Sequence, residues 1–453
     1  MLRRHQGLRT WLQAVFRSKE TPPPLSTTTA RSFGDPDQPS FAPLAPRNMS
    51  ETGGTFPPLQ PLPSTSVIDV AGQPTEVIET VSLVRSKPAL EVIVFPGNPG
   101  SGQFYISYMR SLHEALMKKV RSAPWILSAP GRFVTLASSL LDRLLGHVDL
   151  LLLRPFANPP TSPSPPSLSL SLSLSVSFGV QVGCIRVRTL SHLGHARGVY
   201  KPAFYTLEDQ VEHKLDFLES YCSDVDAPLL VVGHSIGGYM ALEAVKRWQA
   251  RAGSRRVTRS ASKAKGTSRR THPSDSCRIM ALMPYMQFDE DCKKQISLEK
   301  LARRPYVPAA VAGFLGLVVP KFLTVRLLTA FDKNLERESA GHVADQLLSY
   351  TVGHNAFSLA QDEFRALRGK EIDWGWLRGN KGRIGWVFCP GDHWAPKKLW
   401  EQVKGEGAGD FIRFCEDQFH GFCTSARASK GMARLTEEFL GGGRGGDDDD
   451  DGL

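Results

Sequence analysis

What this chain of 453 residues lacks narrows its function before any motif is read. Its seven cysteines include no C-x-x-C pair and are odd in number, so they read as reduced thiols of an intracellular protein. The glycine-rich stretch from Gly97 to Gly102 has no lysine in the P-loop position and does not follow G-x-G-x-x-G, which argues against a phosphate cradle. A secretory signal of three-part form is missing. The apolar run Pro305 to Pro320 stops short of the about 20 residues that span a bilayer, and prolines interrupt it. Arg251 to Arg270 has no acid among eight cations, so most of the net charge of +10 sits in one segment rich in Ser, Gly and Thr. That composition reads as a solvated, disordered insertion and not as a nucleic-acid surface; a patch touching acidic lipid or RNA is the competing reading.

What is present centres on Ala227 to Trp248. Pro228 to Val232 is a short apolar run of the kind a parallel sheet buries on both faces. Gly233-His234-Ser235-Ile236-Gly237 follows at once, and Ala241, Ala244, Val245 and Trp248 then recur at helical spacing. With 40 glycines in the chain, G-x-S-x-G alone is weak, and a structural glycine turn competes with it. The strand before and the helix after decide for a nucleophile turn, in which Ser235 is strained and presented at the carboxyl end of the sheet. The Ile236 amide would then face a developing oxyanion. Ala89 to Phe95 is another strand, and the loop after it offers a second oxyanion donor at Asn98.

In chain order, residues 1–60 combine an arginine-rich amphipathic start with a proline-rich tract, fitting an organelle transit peptide and a disordered tail equally. Val67 to Val70 and Val77 to Leu83 make a hairpin around Ala71-Gly72. A helix runs from Phe104 to Val120. Residues 121–183, with their monotonous Ser-Leu alternation, read as a low-complexity insertion. Ile185 to Leu190 is a strand, and Tyr205 to Leu218 a helix whose apolar face is Leu207, Val211, Leu215 and Leu218, leaving His213 to the surface. Arg278 to Met283 is a sheet strand, and Pro305 to Pro320, flanked by cations, suits a lipid interface or the lid of a site, with a buried cap helix as the alternative. In this class of site the acid and then the histidine follow the serine. Asp392 lies in the exit loop of the strand Ile384 to Phe388, and His420 in the loop after Asp410 to Cys415. His393, a rival base, falls too early in the chain.

Four segments together resemble the lipid droplet-associated hydrolases of the α/β-hydrolase superfamily. They are Phe95-Pro96-Gly97-Asn98-Pro99-Gly100 with Phe104-Tyr105, Leu190-Ser191-His192 with Gly194-His195, Gln210 to Leu215 with Phe217-Leu218, and Gly233 to Gly237. The fold class expected is α/β, a three-layer α/β-hydrolase domain over residues 61–440 with a mostly parallel sheet. It carries the insertion at 121–183, a basic disordered loop at 251–275 and a hydrophobic cap at 290–350, and an acidic tail follows at 441–453. Ser235, His420 and Asp392 are expected as nucleophile, base and acid, with Ile236 and Asn98 as oxyanion donors and with no metal or cofactor. The resemblance implies a neutral-lipid ester, a sterol ester or an acylglycerol, and a place on lipid droplets or the endoplasmic reticulum. A droplet-organising protein with little turnover, or an acyltransferase with the same triad, would use the same residues.

Overall fold

The computed structural model describes residues 63–81, 88–122, 184–196, 204–223, 227–261 and 272–441. Eight strands form one sheet in the order β1-β2-β4-β3-β5-β6-β7-β8. They are β1 (Ser64–Val70), β2 (Gln73–Val81), β3 (Pro88–Phe95), β4 (Cys184–Leu190), β5 (Leu229–His234), β6 (Arg278–Leu282), β7 (Ile384–Phe388) and β8 (Phe411–Phe414). β1 and β2 pair antiparallel about Ala71-Gly72, β2 runs antiparallel to β4, and every later pairing is parallel. This is the α/β-hydrolase arrangement that the sequence leads one to expect. β5 is buried along its whole length, as a central parallel strand covered on both faces must be.

The main helices are α1 (Ile106–Ser122), α2 (Leu207–Phe217), α3 (Ile236–Ala261), α4 (Lys293–Ala302), α5 (Tyr306–Val318), α6 (Lys321–Phe331), α7 (Tyr350–Leu367), α8 (Lys397–Gly405) and α9 (Ala426–Leu440). α4 to α7 stand between β6 and β7 and make a helical layer over the carboxyl end of the sheet, as the lining of the cavity described below shows.

Two expectations are corrected. The basic segment does not leave the helix at Arg251: α3 continues to Ala261, and a short helix, Pro273–Ser276, follows. Arg251 is held by Glu212 at 2.8 Å and Glu219 at 3.6 Å, and Arg247 by Glu212 at 2.7 Å, so the start of the basic segment is pinned to α2 and the turn that follows it. His213 is buried and not on the surface. Its Nε2 meets Thr75 Oγ1 at 2.7 Å, because the β1–β2 hairpin covers the side of α2 that the apolar stripe leaves open. The segments expected at 1–60 and 442–453, nearly all of 121–183, and residues 262–271 lie outside the described residues.

In α5 the large side chains point the wrong way for a globular helix. Ala309 and Ala312 are its buried residues, while Val311, Phe314, Leu317 and Val318 are exposed, Leu317 at 88%. Small residues let the helix lie close to its neighbours: a Cβ added to Gly316 would stand 2.2 Å from the Leu348 carbonyl oxygen. Pro308 falls in the first turn, where its missing N–H is no loss, so it does not break the helix. α6 extends the face with Phe322, 74% exposed, Leu327 and Phe331. No helix among the described residues is long and apolar enough to cross a membrane.

Candidate active site

β5 turns into α3 within one residue, and Ser235 pays the conformational cost with φ at +55°, a region that non-glycine residues rarely enter. The glycines on either side are required by close backbone approach. A Cβ on Gly233 would lie 2.2 Å from the Gly237 carbonyl oxygen, and one on Gly237 would lie 2.3 Å from the oxygen of Phe95. The Phe95 oxygen belongs to a paired strand and cannot rotate away. Gly237→Ala should therefore destabilise the protein by about 3 kcal/mol, measured as a lower urea midpoint; an unchanged midpoint would show that the turn has room to relax.

The turn, the loop after β7 and the loop after β8 bring three residues together. Ser235 Oγ lies 3.0 Å from His420 Nε2, and His420 Nδ1 lies 2.7 Å from Asp392 Oδ2. Asp392 Oδ1 also accepts the Trp394 amide at 2.8 Å. Burial pushes the Asp392 carboxyl up, but the His420 ring and the Trp394 amide outweigh it and hold the group below the usual range. Neither ring nitrogen of His393 has a hydrogen-bond partner among the described residues, so it is His420 and not His393 that meets Ser235. The His393 ring packs on Trp394, and burial lowers it to about 3.

The loop after β3 presses against the serine, since a Cβ on Gly97 would stand 3.0 Å from Ser235 Cβ. Two anchors hold it. Gly97 donates its amide to Tyr105 Oη at 2.7 Å, and that hydroxyl meets His234 Nδ1 at 2.6 Å. Asn98 donates its side-chain amide to the Ala356 carbonyl at 3.0 Å and to Glu363 Oε1 at 3.1 Å, both on α7. Ile236 opens α3, where the first amides of a helix have no partner inside it. All five residues singled out in the sequence thus lie within one small region.

A cavity of about 130 Å³ opens over Ser235 and is lined by Leu298, Ala302, Leu347, Phe357, Phe364 and Trp394, with Tyr285 and Glu363 among them. Glu363 was not foreseen from the sequence. Burial pushes its carboxyl up to about 8, which the Asn98 hydrogen bond only partly offsets. Its signal was available: an acid on the apolar stripe Phe357, Ala360, Phe364, Leu367 has to point into the protein. Tyr105, near the start of the helix expected from Phe104, is buried and sends its hydroxyl to the loop. Among the described residues no group of three or more His, Cys, Asp or Glu is placed to hold a metal ion.

The family model described as lipid-droplet associated hydrolase matches residues 88–423. The chain is 29% identical to the lipid droplet-associated hydrolase of Gallus gallus over 237 residues, 52% of this chain and 65% of that protein. It is 24% identical to the Homo sapiens protein of the same name over 341 residues, 75% of this chain and 81% of that one. The alignment with the Gallus gallus relative therefore spans slightly less than two thirds of that protein's length. A solved thermophilic esterase from Thermogutta terrifontis superposes on 83% of this chain and 99% of its own at 11% identity, with a TM-score of 0.41.

Proposed function

Because the chain belongs to the lipid-droplet associated hydrolase family, we propose that it is a serine hydrolase cleaving carboxylic esters of neutral lipids at droplet surfaces. The observation that carries this reading is the unbroken relay from Ser235 through His420 to Asp392, at 3.0 and 2.7 Å, on a strained turn. As Ser235 Oγ attacks the ester carbonyl, His420 Nε2 takes its proton, and Asp392 stabilises the imidazolium that forms. The amides of Ile236 and Asn98 receive the charge that develops on the carbonyl oxygen. His420 then gives its proton to the leaving alcohol. Water, deprotonated by the same ring, releases the acid and restores the serine.

The cavity suits an apolar ester, since most of its lining is hydrocarbon. The outward-facing residues of α5 and α6 suit a lipid surface, and the side of α5 they leave packs beside α7, which lines the cavity. Purified protein should be labelled covalently by a serine-directed fluorophosphonate, and His420→Ala should slow labelling by roughly 10²-fold or more, because the ring activates the nucleophile. Unlabelled wild-type protein would count decisively against a serine mechanism.

A further inference from the structure

Two of the four segments that carry the family resemblance take no part in the relay: Leu190-Ser191-His192 with Gly194-His195, and Gln210 to Leu215. His192 and His195 are each 1% exposed, and neither lines the cavity over Ser235. They lie in the turn after β4, and that turn grips one residue of the loop after β3. Gly100 donates its amide to His195 Nδ1 at 2.9 Å, and its carbonyl accepts the His192 amide at 2.7 Å. The His192 ring occupies the place of a Gly100 side chain, since a Cβ there would stand 2.1 Å from its Cγ. Two residues on, Gly102 donates its amide to Ser191 Oγ at 3.1 Å. Because Pro99 has no N–H, Gly100 offers the first backbone donor after the Asn98 amide.

The turn is itself held fast. Lys214 on α2 donates to the Ser191 carbonyl at 3.0 Å, and Gln210 accepts the Leu193 amide at 2.9 Å and donates to the Leu193 carbonyl at 3.1 Å. Asn355 on α7 donates to the Gly194 carbonyl at 2.7 Å, one residue before the Ala356 carbonyl that accepts from the Asn98 side chain. Turn and loop thus share one support. A backbone N–H can only donate, so Nδ1 of His195 carries a lone pair and the neutral ring keeps its proton on Nε2. We propose that His195 is a positioning residue for the oxyanion site: by holding Gly100 it sets the Asn98 amide against the carbonyl under attack, and it touches no substrate itself. The proposal rests on the reading of Ser235 as nucleophile and Asn98 as its oxyanion donor. A donor aimed at the transition state acts on kcat and not on KM, and a misplacement of about 1 Å costs roughly 10²-fold.

The full-length protein is assayed on p-nitrophenyl octanoate, with the end point of fluorophosphonate labelling counting competent serines and the thermal midpoint recorded for each variant. His195→Leu keeps an apolar volume in place of the ring and has no acceptor, so kcat per labelled serine should fall by roughly 30-fold or more while KM changes by less than about threefold. Inhibition by octyl trifluoromethyl ketone, which forms a tetrahedral oxyanion on the serine, should weaken by a similar factor. In His195→Asn an amide oxygen can stand where Nδ1 stood, and most of kcat should return. A residue that only stabilises the fold would lower the midpoint and leave kcat per labelled serine and inhibition by the ketone unmoved, and that result overturns the proposal. So does an asparagine variant as impaired as the leucine one. Labelled wild type with an unimpaired His195→Leu defeats this inference alone, whereas unlabelled wild type defeats the nucleophile reading beneath it. If His195→Leu does not fold, His195→Ala is read in its place against asparagine; if neither folds, His195 belongs to the fold and not to the site, and the proposal fails.

Discussion

Ser235→Ala should leave the protein folded and lower ester turnover by about 10³-fold or more. Alanine keeps the Cβ and meets the same strain at φ +55°, so the substitution does not disturb the turn. It deletes only the oxygen that lies 3.0 Å from His420 Nε2. Without a nucleophile the relay has nothing to activate, and what remains is the weaker help of oxyanion donors acting on water. Turnover of a short-chain chromogenic ester, read beside the thermal midpoint, checks both halves. Equal turnover at equal stability would move the chemistry away from Ser235.

Serine in place of Val311, Phe314, Leu317 and Val318 should release the protein from neutral-lipid droplets. These four side chains project from α5 with little protein above them. Burying such a side chain in an acyl phase gains about 1.5–3 kcal/mol when complete, and partial insertion of four gains about 4 kcal/mol, on the order of a thousandfold in partitioning. The cations of Arg251 to Arg270 gain about 1 kcal/mol each only over anionic lipid, and salt removes it. Arg251 is in any case already tied to Glu212 and Glu219. Flotation with droplets should therefore fail for the serine variant and persist when those cations are neutralised. The reverse result would make α5 and α6 a protein-binding face.

The nucleophile turn was legible because its physics leaves so few choices. Only glycine fits where the Gly237 carbonyl oxygen would lie 2.2 Å from a side chain on Gly233. The acid and the histidine were legible from the strands that precede them, since a parallel sheet places its exit loops at one end. His213 was not, because the β1–β2 hairpin covers a flank of α2 that lies off its apolar stripe. Nor was the course of α3 beyond Arg251, since composition alone suggests solvent there while Arg251 is tied to Glu212 and Glu219. Glu363 is a third kind of miss. Its place on α7 gives it meaning only through Asn98, 265 residues earlier in the chain.

That separation bears on how the molecule is made. The bond from His420 to Ser235 closes a span of 185 residues, and the histidine hangs from a loop after β8, a four-residue strand at the sheet edge paired only with β7. Closing so long a span costs entropy that is recovered only when the intervening strands have docked, which delays the contact during folding. An edge strand with one neighbour is likewise among the parts that open first when a native protein fluctuates. Competence at Ser235 is thus expected to arrive late as the chain matures and to be lost early under stress, so that activity should fall at a lower urea concentration than far-UV circular dichroism.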